Sequence, residues 1–266
     1  MVHGVAQPQV EVHSTAIVSP EVELEPGVTV GPYAVISGRV RVGAGTRIGP
    51  HTVIEGETTI GRECQIHTHA AVGTAPQDLK YRGEPTRLTL GDRCVIREFA
   101  SVNRGTAGGG GHTLLGSGVV VMASAHVAHD CTLQDGVILA NQATLAGHAV
   151  LEAHVIIGGM TGIHQFCRIG RHAFVGACSA VLQDIAPFVK VQGNRAKPYG
   201  VNTVGLRRHG FSPEAVQALQ RAYRLIFNAG LNTSQALERL PAEVPACPEV
   251  DYLVEFIKRS QRGISK

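Results

Sequence analysis

Every sixth residue from Val12 to Val72 is aliphatic: Val12, Val18, Leu24, Val30, Ile36, Val42, Ile48, Ile54, Ile60, Ile66 and Val72. The same phase returns at Leu90, Ile96 and Val102. After a slip of one residue it runs through Leu115, Val121, Val127, Leu133, Leu139, Leu145, Leu151, Ile157, Ile163, Ile169, Val175 and Val181. An α-helix repeats every 3.6 residues and a half-buried strand every two, so neither carries this pattern. A six-residue period belongs to a parallel β-helix, in which three short strands and three turns close a triangular coil of eighteen residues. Each aliphatic side chain points to the axis. Coils stack at the ~4.8 Å spacing of paired strands, which makes a prism about 40 Å long.

Composition fits this geometry. Glycine is 32 of 266 residues, 12%, where about 7% is usual, and Trp is absent. A narrow prism has no space for an indole. The residue after the axial position is often Gly, as at Gly31, Gly43, Gly49, Gly61, Gly91, Gly116, Gly158 and Gly170, where a side chain would clash or φ must be positive. Four places after the axial residue the chain is small or β-branched, as at Ala34, Thr46, Thr52, Ala125, Ala143 and Thr161. Cys64, Cys94, Cys131 and Cys167 share that slot and read as core fillers, whereas Cys178 lies outside it. With no CxxC pair, neither a disulfide framework nor a structural zinc site is expected.

Two segments interrupt the period, residues 73–89 and 103–114. Loops that leave a solenoid often occupy its binding face, and Gln77-Asp78-Leu79-Lys80-Tyr81 gives the first a functional look. The repeat stops at Pro187, and residues 188–210 read as a connection. Ser212-Pro213-Glu214 then supplies an N-cap, Pro at the first helical position and an early acid. Val216, Leu219, Tyr223, Ile226 and Phe227 follow at helical spacing, with a stop at Gly230. Further helices are expected at about 234–240 and 249–262. The chain therefore divides into a prism, residues 1–189, and a connecting segment with a helical domain, residues 190–266, that shields an open sheet edge. Residues 190–266 hold twelve Lys/Arg against six Asp/Glu. Such a surplus suits an acidic partner or a solvated helix surface. No apolar run approaches the ~18 residues of a membrane span. Met1-Val2-His3-Gly4 does not open like a signal peptide, so a cytoplasmic location is expected.

The chemistry points to the histidines, thirteen in all. With Val127 axial, His126, His129 and Asp130 fall outside the inward slots. Eighteen residues separate Asp130 from His148 and thirty-six separate His129 from Gln165, with His164 adjacent. His126, His129, Asp130, His148, His164 and Gln165 are thus expected to line one polar stripe. An imidazole beside a carboxylate is what a general base requires, since the acid fixes its tautomer and stabilises the imidazolium. Gly147 can present a backbone N–H to a developing oxyanion.

The hexads combine with QDLKY (77–81), GEPTR (83–87), HVAHDC (126–131), LAGH (145–148), IGGMTGIHQF (157–166) and QGN (192–194). In this order the chain resembles the acyl-ACP:UDP-N-acetylglucosamine O-acyltransferases of lipid A biosynthesis, from about residue 10 to 262. The resemblance implies a mainly β fold, a left-handed parallel β-helix with a C-terminal α-helical domain. It implies transfer of an (R)-3-hydroxyacyl group from acyl carrier protein to the 3-hydroxyl of UDP-N-acetylglucosamine, with no cofactor, metal, acyl-enzyme or nucleic-acid partner. His129 becomes the general base, Asp130 its orienting acid and Gly147 the oxyanion donor. Gln77, Asp78, Lys80, His126, His148, His164, Gln165, Asn202 and Arg208 become substrate contacts, in a homotrimer whose sites lie between subunits. Four positions depart from the family: Asn103 where many members carry His, Val204 where some carry Glu, His209 in a basic run, and Ala177 where long-chain enzymes have Gly in the acyl groove. The last implies a shorter acyl chain. The rivals are an N-acyltransferase or CoA-dependent acetyltransferase on the same prism, a γ-carbonic-anhydrase-type zinc enzyme, and a non-catalytic scaffold.

Overall fold

The computed structural model describes residues 9–266; the reading of Met1–Gly4 as lacking a leader lies outside the described residues. Short strands, mostly of two residues, assemble into three sheets of eleven, nine and eight strands. They start at Glu11–Val12, Ile17–Val18 and Glu23–Leu24 and form the first, second and third faces of the prism. Apart from the last pair of the first face, neighbouring strands within each face are parallel, and a coil is eighteen residues, as in Val127 against Leu145 and Leu145 against Ile163. The interruptions are insertions into this count. Ile60 pairs with Leu90, and Leu90 with Leu115, before the spacing of eighteen resumes. Both are shorter than the sequence suggested, because Arg87–Leu90 and His112–Leu115 already lie in the third face.

The axial residues make the core. All are buried except Val12, Val18 and Leu24 of the first coil, which have no coil stacked beneath them among the described residues. The small slot is equally closed, with Cys64, Cys94, Cys131 and Cys167 fully buried and Cys178 exposed. Thr fits there because its hydroxyl finds a carbonyl of the next coil, as Thr46 Oγ1 donates to Gly61 O at 2.8 Å and Thr161 Oγ1 to Gly176 O at 3.0 Å.

Of the two reasons expected for the glycines, the structure selects one. Gly31, Gly43, Gly49, Gly61 and Gly91 do not have positive φ; a Cβ there would strike the backbone of the next coil. The left-handed residues stand two places later, at the three edges of the prism, and most are not glycine. They include Tyr33, His51, His69 and Phe99 between first and second faces, Asp130, His148 and Phe166 between second and third, and His154 and His172 between third and first. Asp, Asn and His tolerate this conformation better than most residues. Much of the histidine excess therefore sits on the edges, where φ near +60° turns each side chain outward to stack on its neighbour one coil away. Tyr33–His51–His69–Phe99 form one such ladder, with ring centroids 4.9–5.1 Å apart. Cys178 occupies the same kind of edge position (φ 56°).

The segment expected as a plain connection is structured. Val189–Gln192 extends the first face, and Lys197–Val201 folds back on it antiparallel, closing that sheet's exposed edge. Four helices follow: α1 (Thr203–Arg208), α2 (Pro213–Tyr223, continued by a π turn at Arg224–Asn228), α3 (Thr233–Glu243) and α4 (Pro248–Arg259). Ser212 Oγ caps α2 by accepting from Ala215 N, and Gly230 (φ 70°) follows the π turn. Asn232 and Gln235 cap α3 reciprocally at its N-terminus, and the helix runs beyond 234–240 at both ends. Helix α4 ends sooner than expected and lies against the prism flank. Tyr252 Oη donates to Glu152 Oε2 at 2.8 Å, and the Tyr252 ring lies 3.7 Å under the Arg171 guanidinium. No helix among the described residues is long and apolar enough to cross a membrane.

Candidate active site

His129 and Asp130 end a turn that leaves the second face, and coil stacking sets His148 beside them. His129 Nδ1 is 2.8 Å from Asp130 Oδ2, and His148 Nε2 is 4.0 Å from the same oxygen. The two imidazoles meet edge to face, with centroids 5.2 Å apart, and His148 stacks on Phe166 at 4.4 Å. The Asp130 side chain is 1% exposed, against 16% for His129 and 23% for His148. Burial pushes the Asp130 carboxyl up, but hydrogen bonds from Thr106 and His129 outweigh it and hold the group below the usual carboxylate range. Burial lowers His148, against the pull of Asp130, and also lowers His126, with the nearby His129 adding to it. A carboxylate on Nδ1 assigns the proton to that nitrogen and leaves Nε2 as the accepting lone pair.

Gly147 stands one coil on from His129. A Cβ there would lie 2.5 Å from His129 Cε1 and 2.8 Å from Nε2, so its absence is what makes room for the ring. The Gly147 N–H donates to no group among the described residues, while its carbonyl accepts from Phe166 N. A ring nitrogen and a backbone N–H with no partner among the described residues thus stand one coil apart in the same column.

The second interruption, a short 3-10 turn at Ala107–Gly109, packs against this site. Thr106 Oγ1 donates to Asp130 Oδ2 at 2.6 Å, and Thr106 N lies 3.0 and 3.1 Å from the two carboxylate oxygens. Thr113 Oγ1 accepts from Asp130 N at 2.8 Å. A methyl group at Gly105 or Gly109 would overlap the carboxylate, which explains part of the glycine run. Arg104 ties the two loops together, donating to Gly73 O at 2.7 Å and to Tyr81 Oη at 3.1 Å. Asn103 is buried and donates to Thr74 Oγ1 at 2.8 Å. Sequence reading missed Thr106 and Thr113; the signal available was the slip of register, which delivers residues of that loop beside Asp130.

The expected stripe resolves into four neighbouring columns. His126 faces out of the strand and shares a hydrogen bond with Ser101 Oγ at 2.7 Å. His129, Gly147 and Gln165 make one column, and Asp130, His148 and Phe166 the next. His164 occupies another, its Nδ1 3.0 Å from the Gln165 carbonyl and 3.3 Å from an Arg262 nitrogen. In the first loop Asp78 Oδ1 accepts from Lys80 N, and its charge reaches His148. The Gln77 side chain is exposed, as is that of Lys80. Three expected contacts lie elsewhere in the single chain. Ala177 is exposed beside the first edge, whereas Asn202 caps α1, accepting from Gly205 N and donating to His172 O at the third edge. Arg208 is exposed at the end of α1.

One atom each of His129, Asp130 and His148 lies within 4.8 Å of the others, a spacing a metal ion could use. The donor chemistry is that of a hydrogen-bonded relay instead, because Asp130 Oδ2 already accepts from Thr106 and from His129.

Comparison with known proteins agrees with the fold and extends it. A six-repeat bacterial transferase hexapeptide model matches residues 112–147, and the second-domain model of UDP-N-acetylglucosamine O-acyltransferase matches residues 184–265. The acyl-[acyl-carrier-protein]–UDP-N-acetylglucosamine O-acyltransferase of Herminiimonas arsenicoxydans is 51% identical over 257 residues, 95% of this chain and 98% of that one. The chain belongs to this O-acyltransferase family. The Anaeromyxobacter dehalogenans (strain 2CP-1) member is 50% identical over 194 residues, 73% of this chain and 76% of its own length. The solved O-acyltransferase of Moraxella catarrhalis superposes with a TM-score of 0.92 at 40% identity, covering 96% of this chain and 99% of that one.

Proposed function

We propose that the protein transfers an (R)-3-hydroxyacyl group from acyl carrier protein to the 3-hydroxyl of UDP-N-acetylglucosamine, the first step of lipid A biosynthesis. The observation that carries the reading is His129, fixed through Nδ1 by a buried carboxylate, with its ring seated beside Gly147 in a chain of this family. A sugar hydroxyl is a poor nucleophile at neutral pH, so a base must take its proton as it attacks the thioester. His129 Nε2 accepts the proton while the hydroxyl oxygen bonds to the carbonyl carbon. The Gly147 N–H receives the oxyanion. The intermediate then collapses, the carbon–sulfur bond breaks, and the imidazolium gives the proton to the departing thiolate. No acyl-enzyme forms.

The functional unit in this reading is a cytoplasmic homotrimer with sites between adjacent prisms. Gln77, Asp78, Lys80, His126, His148, His164, Gln165, Asn202 and Arg208 recognise the nucleotide sugar across those interfaces. This accounts for the remoteness of Asn202 and Arg208 from His129 in one chain. Exposed Arg207, Arg221, Lys258 and Arg259 suit the acidic carrier protein. Ala177 narrows the acyl groove and favours a shorter chain than Gly-type relatives use. Mass spectrometry of reactions with UDP-N-acetylglucosamine and a ladder of hydroxyacyl-ACPs tests the donor, the acceptor and the chain length together. Acylated nucleotide sugar with a short or intermediate chain is expected. Longest-chain preference would remove the Ala177 assignment. Product only from acyl-CoA, or only with a 3-O-acylated amino-sugar acceptor, would replace the reading with a rival; activity needing stoichiometric zinc would do the same.

A further inference from the structure

We propose that Thr106, in the loop between Asn103 and His112, is a positioning residue for proton transfer, holding the Asp130 carboxylate in the orientation that fixes the His129 ring. The inference rests on the acyl-transfer reading above and adds a residue outside the His–Asp pair itself. Asp130 takes the left-handed conformation (φ 59°) at a prism edge, so the turn itself does not fix its side chain. Its Oδ2 has two possible imidazole partners, His129 Nδ1 at 2.8 Å and His148 Nε2 at 4.0 Å. What separates them is the grip of Thr106. The hydroxyl donates to Oδ2 at 2.6 Å and the N–H straddles both oxygens, while the Asp130 N–H is tied to Thr113 Oγ1. The approach is enforced on both sides by glycine, since a side chain at Gly105 or Gly109 would overlap the carboxylate. Thr106 and Asp130 are both buried, so water cannot readily stand in for the missing hydroxyl. After burial, the Thr106 hydroxyl bond is the largest influence on the Asp130 carboxyl and the first of those that hold it down.

The Thr106→Val and Thr106→Ser variants test this. Valine keeps shape and N–H but removes the hydroxyl; serine restores it. Thr106→Val is expected to lower kcat roughly ten- to a hundredfold, the usual effect of losing a hydrogen bond to a charged group, with KM for the nucleotide sugar unchanged. The acid limb of its pH profile should move to higher pH. A freed carboxylate is easier to protonate and also binds imidazolium more tightly, and both effects act in that direction. Thr106→Ser should recover most of the rate and the wild-type limb. Imidazole ¹⁵N NMR of the substrate-free protein supplies a readout independent of activity: His129 should carry its proton on Nδ1 in wild type and show mixed tautomers in Thr106→Val. Unchanged rate, limb and tautomer in Thr106→Val would overturn the proposal. Equal loss in both variants with a falling Tm and an unmoved limb would also overturn it, by making the role structural. Should wild type itself turn over no hydroxyacyl-ACP, the acyl-transfer reading fails, and the tautomer comparison still decides whether Thr106 positions Asp130.

Discussion

Left-handed residues one coil apart stack their rings at every edge of the prism, and two of these edges then diverge. Between second and third faces, His129 and His148 meet the buried Asp130 carboxylate. Between third and first faces, His154 and His172 stack at 4.9 Å, and His209 of the C-terminal segment packs on both at 4.6 and 4.8 Å. Phe188 and Phe211 complete that second group around His172. There the cations would repel one another. Burial, then His154, His209 and Arg171, drive His172 down to about 4, and burial with His209 lowers His154 despite the pull of Asp135. Clustered histidine is thus not a site in itself. One group has a carboxylate partner and a glycine that leaves room for the His129 ring; the other is an aromatic joint that docks α1 on the prism.

Removing either distinguishing feature should make the first group behave like the second. Asp130→Asn keeps the shape but withdraws the charge, and turnover should fall at least about a hundredfold, within the range for general-base catalysis. A steady-state rate near wild type would show that the carboxylate is incidental. Gly147→Ala keeps the backbone donor yet places a methyl against His129 Cε1. Displacing the ring should cost roughly ten- to a hundredfold in kcat, and a crystal structure of the variant should show His129 rotated. The His172 imidazole should answer to stability alone. Because folding holds His172 near 4 instead of its ordinary 6.5, the unfolded chain binds the extra proton between those pH values. His172 therefore costs nothing above about pH 6.5 and as much as about 3 kcal/mol as pH falls toward 4. His172→Phe should leave turnover at pH 8 unchanged and flatten the acid-side fall in urea midpoint. An unaltered fall would mean another group sets it.

The prism was legible because one simple constraint, an axial aliphatic every six residues, repeats until chance is excluded, and the buried run from Val30 to Val181 obeys it. His129, Asp130 and His148 were legible for the same reason, since a coil of fixed length converts spacing into adjacency. Thr106 was not, because it lies inside an insertion where that conversion stops. The His154–His172 spacing was equally visible, but its meaning depends on His209 and Phe211, which arrive from a segment without a repeat. The positive-φ edges were hidden because glycine marks a different need here, the close approach of successive coils.

The most direct test sets the two groups against each other in one assay. Turnover of UDP-N-acetylglucosamine with hydroxyacyl-ACP is compared for wild type, His129→Ala and His154→Ala under saturating substrates. His129→Ala should lose about 10²- to 10⁴-fold in rate, with His154→Ala close to wild type; undiminished activity in His129→Ala would contradict its assignment as the base.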